Sequence, residues 1–121
     1  MDKKDLKYFK EKLEREKANL EAELSTISRT NPDNQNDWEA TTTDIEVDSA
    51  DENEVADKLE ELEENKAILS KLEPQLNEIK AALDRIENGT YGICEISGDA
   101  IEKERLEANP SARTSIKHMK N

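Results

Sequence analysis

Two runs of apolar residues recur at seven-residue intervals, and they constrain the fold of this chain more than any other feature. The first run comprises Leu6, Leu13, Leu20 and Ile27. The second run comprises Val55, Leu62, Leu69, Leu76 and Leu83. A seven-residue apolar period is typical of a helix that buries one stripe against a partner helix. The pattern therefore predicts two long amphipathic helices, the first over about residues 2–30.

Turn and cap residues predict the ends of these helices. The segment 31–34, Asn-Pro-Asp-Asn, should end the first helix, because a proline pushes the preceding residue out of the α region. Gly89 should end the second helix, since glycine is favoured just past a helix C-terminus. Pro74 lies inside the second helix. Because the leucines keep their spacing from Leu69 to Leu76, we expect one helix with a kink at this proline.

The composition favours an extended, mainly α fold. Apolar residues make up only 33% of the 121 residues, too few for a compact core of ordinary size. Each helix can bury only one stripe, so we expect an antiparallel coiled-coil hairpin over residues 1–88. Fourteen acidic residues and a single base lie between residues 33 and 64. We expect this acidic segment to form the tip of the hairpin, at about residues 31–54. Trp38 is expected to anchor the tip loop.

The charge and the single cysteine limit the class of partner. The formal net charge of −12 argues against unaided DNA binding, because affinity for phosphates comes from Lys and Arg side chains. No apolar stretch is long enough to span a membrane, and the first ten residues lack the pattern of a secretory signal. Cys94 is the only cysteine, which excludes an internal disulfide. We expect a cytoplasmic protein that binds another protein and is not an enzyme.

The last part of the chain has a different character. Glycine occurs only at Gly89, Gly92 and Gly98, which marks residues 89–121 as a small separate module with a short helix at 100–109. Residues 90–98, Thr-Tyr-Gly-Ile-Cys-Glu-Ile-Ser-Gly, and 101–110, Ile-Glu-Lys-Glu-Arg-Leu-Glu-Ala-Asn-Pro, resemble the zinc-finger signature of the DksA/TraR family. The resemblance implies a helical hairpin with a zinc-finger-like module at its base.

The resemblance places the four metal-ligand positions of a C4-type finger at Cys94, Ser97, Ser115 and His118. A neutral serine hydroxyl is a poor zinc ligand, so we expect a module without metal; the alternative is zinc held by an incomplete ligand set. Packing would then hold the module, with Arg105 tying the loops by hydrogen bonds. The expected core residues are Ile93, Ile96, Ile101, Leu106 and Ile116.

The resemblance also implies a function. Members of the family are bacterial transcription regulators that insert the hairpin into the secondary channel of RNA polymerase without binding DNA. They carry working acids in a D-x-x-D-x-A element at the tip, and the candidates here are Asp48, Asp51 and Glu54. Candidate contacts of the module with the polymerase are Lys103, Arg105, Arg113 and Lys117. In such proteins the effect can be coupled to the stringent response through (p)ppGpp bound at the interface.

The same pattern of apolar stripes and acidic residues is also consistent with two other functions. A structural or adaptor coiled coil would pair its apolar stripes between chains, whereas an intramolecular hairpin would be a monomer. A Gre-like transcript-cleavage stimulator would use tip carboxylates to hold a catalytic Mg²⁺ for the polymerase. The basic residues of the module are equally typical of a solvated surface.

Overall fold

The structure, a computed structural model, describes residues 1–31, 33–41 and 52–118. The elements in chain order are α1 (Lys3–Ser25), β1 (Ser28–Asn31), β2 (Asn34–Ala40), α2 (Glu52–Asn88), α3 (Lys103–Ala108) and a 3₁₀ turn at Ile116–His118. The mainly α architecture with two long helices is confirmed.

Helix α1 ends at Ser25, so the predicted end at about residue 30 is wrong. The reason is a cluster of hydroxyl side chains. Ser25 Oγ and Thr26 Oγ1 each donate to a carbonyl oxygen three residues earlier at 2.7 Å, and Ser28 Oγ donates to one four residues earlier. Such side-chain bonds compete for the carbonyls that a continuing helix would use.

A two-stranded antiparallel hairpin follows α1, and the sequence did not indicate it. Ser28 lies opposite Ala40 and Thr30 lies opposite Trp38, and the Thr41 N–H extends the pairing by donating to the carbonyl of Ile27 at 2.8 Å. The strands therefore occupy part of the segment that was expected to be the tip loop. Trp38 lies in β2 and is half-buried, and its role as an anchor stays a prediction.

Helix α2 runs without a break over 37 residues and contains Pro74, so the expectation of one helix is confirmed. The proline ring is on the exposed side, while Leu72 and Leu76 on either side of it are buried. The loss of one backbone hydrogen bond is thus outweighed by the buried stripe; the kink stays a prediction. In the described part of the chain, no helix has the length and apolar character that a membrane span requires.

The chain divides into two compact units, and the first contains residues 1–19 and 76–121. The start of α1 and the end of α2 belong to this unit. The apolar core of this unit draws on both helices and on the residues after them. Its buried side chains are Phe9, Leu13, Leu76, Ile79, Ala82, Tyr91, Cys94, Ile101, Leu106 and Ala112.

The second unit contains residues 20–75, with the end of α1, the β-hairpin and the first part of α2. Leu24, Leu69 and Leu72 are buried in it. Asn65 is also buried and donates from Nδ2 to the carbonyl of Thr41 at 2.7 Å, so its polar side chain is satisfied.

Candidate functional site

The first half of the predicted metal site is a tight loop at residues 94–97. The Cys94 N–H donates to the carbonyl of Asp99 at 2.8 Å, and the Gly98 N–H donates to the carbonyl of Cys94 at 2.9 Å. Gly98 has a φ of +76°, a left-handed conformation that glycine adopts at low cost. At the base of the loop, the Ile101 N–H donates to the carbonyl of Gly92 at 2.7 Å. This backbone pattern holds Cys94 and the following residues in one narrow turn.

Cys94 is the centre of the site, with a relative exposure of 1%. Hydrogen bonding by the Ser97 hydroxyl is the main interaction that stabilises its thiolate form. The backbone N–H groups of Ser115, Ser97 and Ile96 act in the same direction. Hydrogen bonds to the charged form of a group favour that form. They outweigh the effect of burial and lower the pKa of the Cys94 thiol from an ordinary 9.0 to about 6.

Three of the four ligand positions therefore meet, at Cys94, Ser97 and Ser115. His118 ends the 3₁₀ turn and is held to the same segment by its own N–H, which donates to the carbonyl of Ser115 at 3.1 Å. Among the described residues, no group of three or more His, Cys, Asp and Glu side chains could hold a metal ion. One thiol, one imidazole and two serine hydroxyls do not fit zinc, which takes thiolate, imidazole or carboxylate donors in structural sites.

The module differs from its predicted form in two respects. Helix α3 spans Lys103–Ala108 and not 100–109, because Ala100 is engaged in an isolated bridge with Ile93. The expected core is right for Ile101 and Leu106, which are buried. It is wrong for the other three isoleucines, since Ile93, Ile96 and Ile116 have exposures of 45%, 57% and 51%. The side chains of Tyr91, Cys94 and Ala112 fill the core in their place.

Tyr91 links the core to the end of the module. Its hydroxyl donates to the carbonyl of Pro110 at 2.7 Å, and its ring centroid lies 6.1 Å from that of Phe9. Burial raises the pKa of Tyr91 to about 12, so the phenol stays a donor at neutral pH. Tyr91 and Pro110 both belong to the motif that carries the resemblance, but the motif alone does not show that they are bonded.

Polar contacts fasten the module to α1. The hydroxyl of Tyr8 donates to Glu107 Oε2 at 2.9 Å, and Lys12 Nζ donates to the carbonyl of Glu107 at 2.7 Å. Lys103 Nζ lies 3.2 Å from Asp5 Oδ1, and this hydrogen bond raises the pKa of Lys103. These contacts join α3 to the first turns of α1.

Arg113 fastens the module to α2. Its Nε and Nη2 donate to the two carboxylate oxygens of Glu78 at 2.7 and 3.1 Å, and its Nη1 donates to Glu95 Oε1 at 2.9 Å. Such bidentate, charge-assisted bonds are stronger than bonds between neutral groups. The bond from Arg113 lowers the pKa of Glu78, and the bonds to both carboxylates raise the pKa of Arg113. Nearby, Arg85 Nη2 donates to the carbonyl of Ser111 at 3.2 Å.

The four candidate polymerase contacts have different environments. Lys103 and Arg113 make the ion pairs described above, and Arg105 Nε donates to the carbonyl of Thr114 at 3.1 Å. The expected role of Arg105 in tying the loops is thus present. Lys117 is exposed. The internal partners of Lys103 and Arg113 could not be predicted from the sequence, since they lie 18 residues or more away along the chain.

The structure describes only part of the predicted tip. Asp48 and Asp51 lie outside the described residues. Glu54 is exposed in the first turn of α2, where a negative charge interacts favourably with the helix dipole.

Comparisons with known proteins agree with this geometry. Residues 89–117 match the model of the prokaryotic dksA/traR C4-type zinc finger. The chain is 31% identical over 117 residues to the RNA polymerase-binding transcription factor DksA of Caulobacter vibrioides, covering 96% of this chain and 74% of that protein. It is 62% identical over 39 residues to the uncharacterized protein YteA of Bacillus subtilis, covering 32% of this chain but only 16% of that longer relative.

The fold also has a match among solved structures. Transcription factor DksA2 of Pseudomonas aeruginosa matches with a TM-score of 0.72 over 97% of this chain and 81% of that chain, at 23% identity; this likeness shows a shared fold. The Caulobacter and Pseudomonas proteins are transcription factors, in agreement with the expectation that this chain is not an enzyme. Because the similarity to the Caulobacter protein extends over nearly the whole chain and the finger model matches its end, the chain belongs to the DksA/TraR family.

Proposed function

We propose that the protein regulates transcription initiation by binding RNA polymerase through its secondary channel, without binding DNA. The observation that carries this proposal is the 31% identity, over 96% of the chain, to an RNA polymerase-binding transcription factor. The helices suit entry into a channel. At about 1.5 Å per residue, the 37 residues of α2 extend over about 55 Å.

The acidic segment would act at the inner end of the channel. Residues 33–64 hold fourteen acids and one base, so this part of the chain carries a concentrated negative charge. Asp48, Asp51 and Glu54 would approach the active centre and shift the lifetime of promoter complexes. The exposure of Glu54 supports this role, because a side chain that acts on a partner must be accessible.

The module would contact the rim of the channel. Lys117 is exposed, and the side chain of Lys103 is 61% exposed despite its ion pair with Asp5. These two lysines are therefore the more accessible candidates for the rim contact. Arg105 and Arg113 would contribute mainly by shaping the module, because both already donate hydrogen bonds within it.

We expect the protein to act as a cytoplasmic monomer with no metal bound, and its effect to be coupled to (p)ppGpp at the interface with the polymerase. The net charge of −12 supports the absence of direct DNA binding, since phosphate contacts need an excess of Lys and Arg side chains.

A binding experiment with purified components tests the proposal. Immobilised protein should retain RNA polymerase core enzyme, and it should retain no duplex DNA when polymerase is absent. Light scattering of the free protein should give the monomer mass of 13.8 kDa. Failure to retain polymerase together with a multiple of that mass would favour an adaptor coiled coil. Cleavage of the transcript in backtracked complexes would favour the cleavage-stimulating function.

Zinc content gives a separate prediction. Because Ser97 and Ser115 stand at two ligand positions, the purified protein should contain well under one zinc per chain. A chelator should leave the midpoint of thermal unfolding unchanged, since there is no metal-binding free energy to remove. Elemental analysis and calorimetry with and without chelator measure both quantities, and stoichiometric zinc would contradict the metal-free state.

A further inference from the structure

This chain has the finger module of the family but not its four zinc ligands. In a zinc finger with four ligands, one metal ion joins two ligand pairs that are distant in sequence and thereby holds a small module together. The corresponding pairs here are Cys94 with Ser97 and Ser115 with His118, and these donors do not fit zinc. Some other interaction must connect the two halves of the module.

The segment before and around the second pair is connected to the rest of the module at residues 113, 114 and 116. The first connection is reciprocal. The Glu95 N–H donates to the carbonyl of Arg113 at 2.9 Å, and Arg113 Nη1 donates to Glu95 Oε1 at 2.9 Å. Glu95 lies directly between Cys94 and Ile96 in the loop of the first pair. This pair of hydrogen bonds therefore joins the loop of the first ligand pair to the residue two positions before Ser115.

Two further connections involve the short helix. The carbonyl of Thr114 accepts from Arg105 Nε at 3.1 Å, and the Ile116 N–H donates to Glu102 Oε2 at 3.1 Å. Ser115, between these two residues, is buried. Arg105 lies in α3, and Glu102 directly precedes the first residue of this helix. Residues 113–116 are therefore bonded both to the first loop and to the short helix between the two pairs.

We propose that these hydrogen bonds, which we name the 113–116 clasp, replace zinc as the link that holds the two halves of the module together. The proposal rests on the metal-free state inferred above. The clasp also connects the module to α2, which a metal ion at the ligand positions could not do, because Arg113 donates to Glu78 in that helix. One side chain thereby connects the second half of the module, its first loop and the long helix.

Substitution of Arg113 tests the clasp directly. Arg113→Gln removes the charge-assisted bonds to Glu78 and Glu95 and keeps a polar side chain. We expect the midpoint of thermal unfolding to fall by roughly 5–10 °C. Amide protection should be lost at residues 94–98 and 113–118 and kept in α1. Unchanged protection in the module would overturn the proposal.

The matched control is Arg29→Gln, which removes an arginine that is 3.6 Å from Glu39 and has a side-chain exposure of 70%. This exposed pair lies outside the clasp, and exposed ion pairs contribute little. Its loss should shift the midpoint by under about 2 °C. An equal loss in both variants would mean that Arg113 acts only as one more surface charge, and the proposal would fail.

A rescue experiment tests the specific claim that the clasp stands in for zinc. The double variant Ser97→Cys, Ser115→Cys provides three thiols and an imidazole with the spacing of a structural zinc site. We expect it to bind about one zinc per chain. With zinc bound, Arg113→Gln should cost less than half of the midpoint shift that it causes in the unmodified chain. An unreduced cost, or no zinc binding at all, would show that the clasp does not occupy the place of the metal.

The outcomes separate this proposal from the proposed function. Stoichiometric zinc in the unmodified protein would overturn the metal-free state and the clasp together, without bearing on polymerase binding. Failure to retain polymerase would overturn the function and leave the unfolding data of the clasp unaffected.

Discussion

Leu76→Ala is expected to lower the free energy of unfolding by about 2–5 kcal/mol, the range for removing a fully buried leucine side chain. Leu76 has an exposure of 0% and lies in the unit that contains the start of α1, the end of α2 and the C-terminal module. The loss combines the transfer of the missing methyl groups with the cavity that remains. Since small domains are stable by only about 5–15 kcal/mol, the variant should unfold at a much lower denaturant concentration.

Leu59→Ala is the matched control, because it is the same substitution in the same helix. Leu59 lies four residues after Val55 and three before Leu62, beside the apolar stripe, but its exposure is 56%. We expect a change of under about 0.5 kcal/mol. Chemical unfolding of both variants measures the difference. Equal losses would contradict the described packing, since the two sites would then be buried to the same degree.

Neutralising the tip is the second change with a large expected effect, this time on activity. Asp48→Asn, Asp51→Asn and Glu54→Gln together should abolish most of the effect on transcription while polymerase binding survives. The reason is that the acids would act near the active centre, whereas the helices and the module would make the binding contacts. Unfolding should change little, because Glu54 is exposed and surface substitutions rarely matter for stability.

A control with the same change of charge distinguishes the tip from general electrostatics. Glu14 of α1 and Asp84 and Glu87 of α2 are exposed acids outside the acidic segment 33–64, and replacing them with Gln, Asn and Gln should leave the transcriptional effect intact. In vitro transcription and retention of core polymerase are measured on both variants. A tip variant that retains its full effect, or that unfolds, would show that these acids do not act on the polymerase.

The long helices could be predicted because their signal is local and repeated. A stripe at seven-residue spacing persists over many turns, so single misplaced residues do not hide it. The stripe did not reveal where the burial stops, however, since Leu59 lies between Val55 and Leu62 at helical spacing and is exposed. Asn65 shows the opposite case. It is a polar residue that is buried in the second unit because its side chain satisfies the carbonyl of Thr41.

The β-hairpin was missed because its strands lack an apolar alternation. Strand β2 runs Asn-Gln-Asn-Asp-Trp-Glu-Ala, which is typical of a loop by composition. Its pairing with β1 depends on backbone hydrogen bonds and on the register opposite Thr30 and Ser28. A sequence pattern reports side chains, so it contains no signal for strands that are held mainly by their backbone.

The motif placed Cys94, Ser97 and Ser115 at one site, and the assignment of these residues to metal-ligand positions stays a prediction. The motif did not show the hydrogen bonds of the module. The partners of Arg113 were not predictable, since Glu78 is 35 residues away along the chain and any of several acids had a suitable charge. The isoleucines were assigned to the core by hydrophobicity alone, yet a module with so many polar bonds needs only a small apolar centre.

Photo-crosslinking from the tip is the most direct test of the central claim that the hairpin enters the secondary channel. A photoreactive amino acid is placed at Glu54, and for comparison at Glu104, an exposed residue of α3. Both proteins are irradiated in complex with core polymerase, and the crosslinked polymerase segments are mapped. We expect Glu54 to crosslink to segments next to the active centre and Glu104 to the outer rim of the channel. Crosslinks from both positions to the same outer surface, or none from Glu54, would contradict the account.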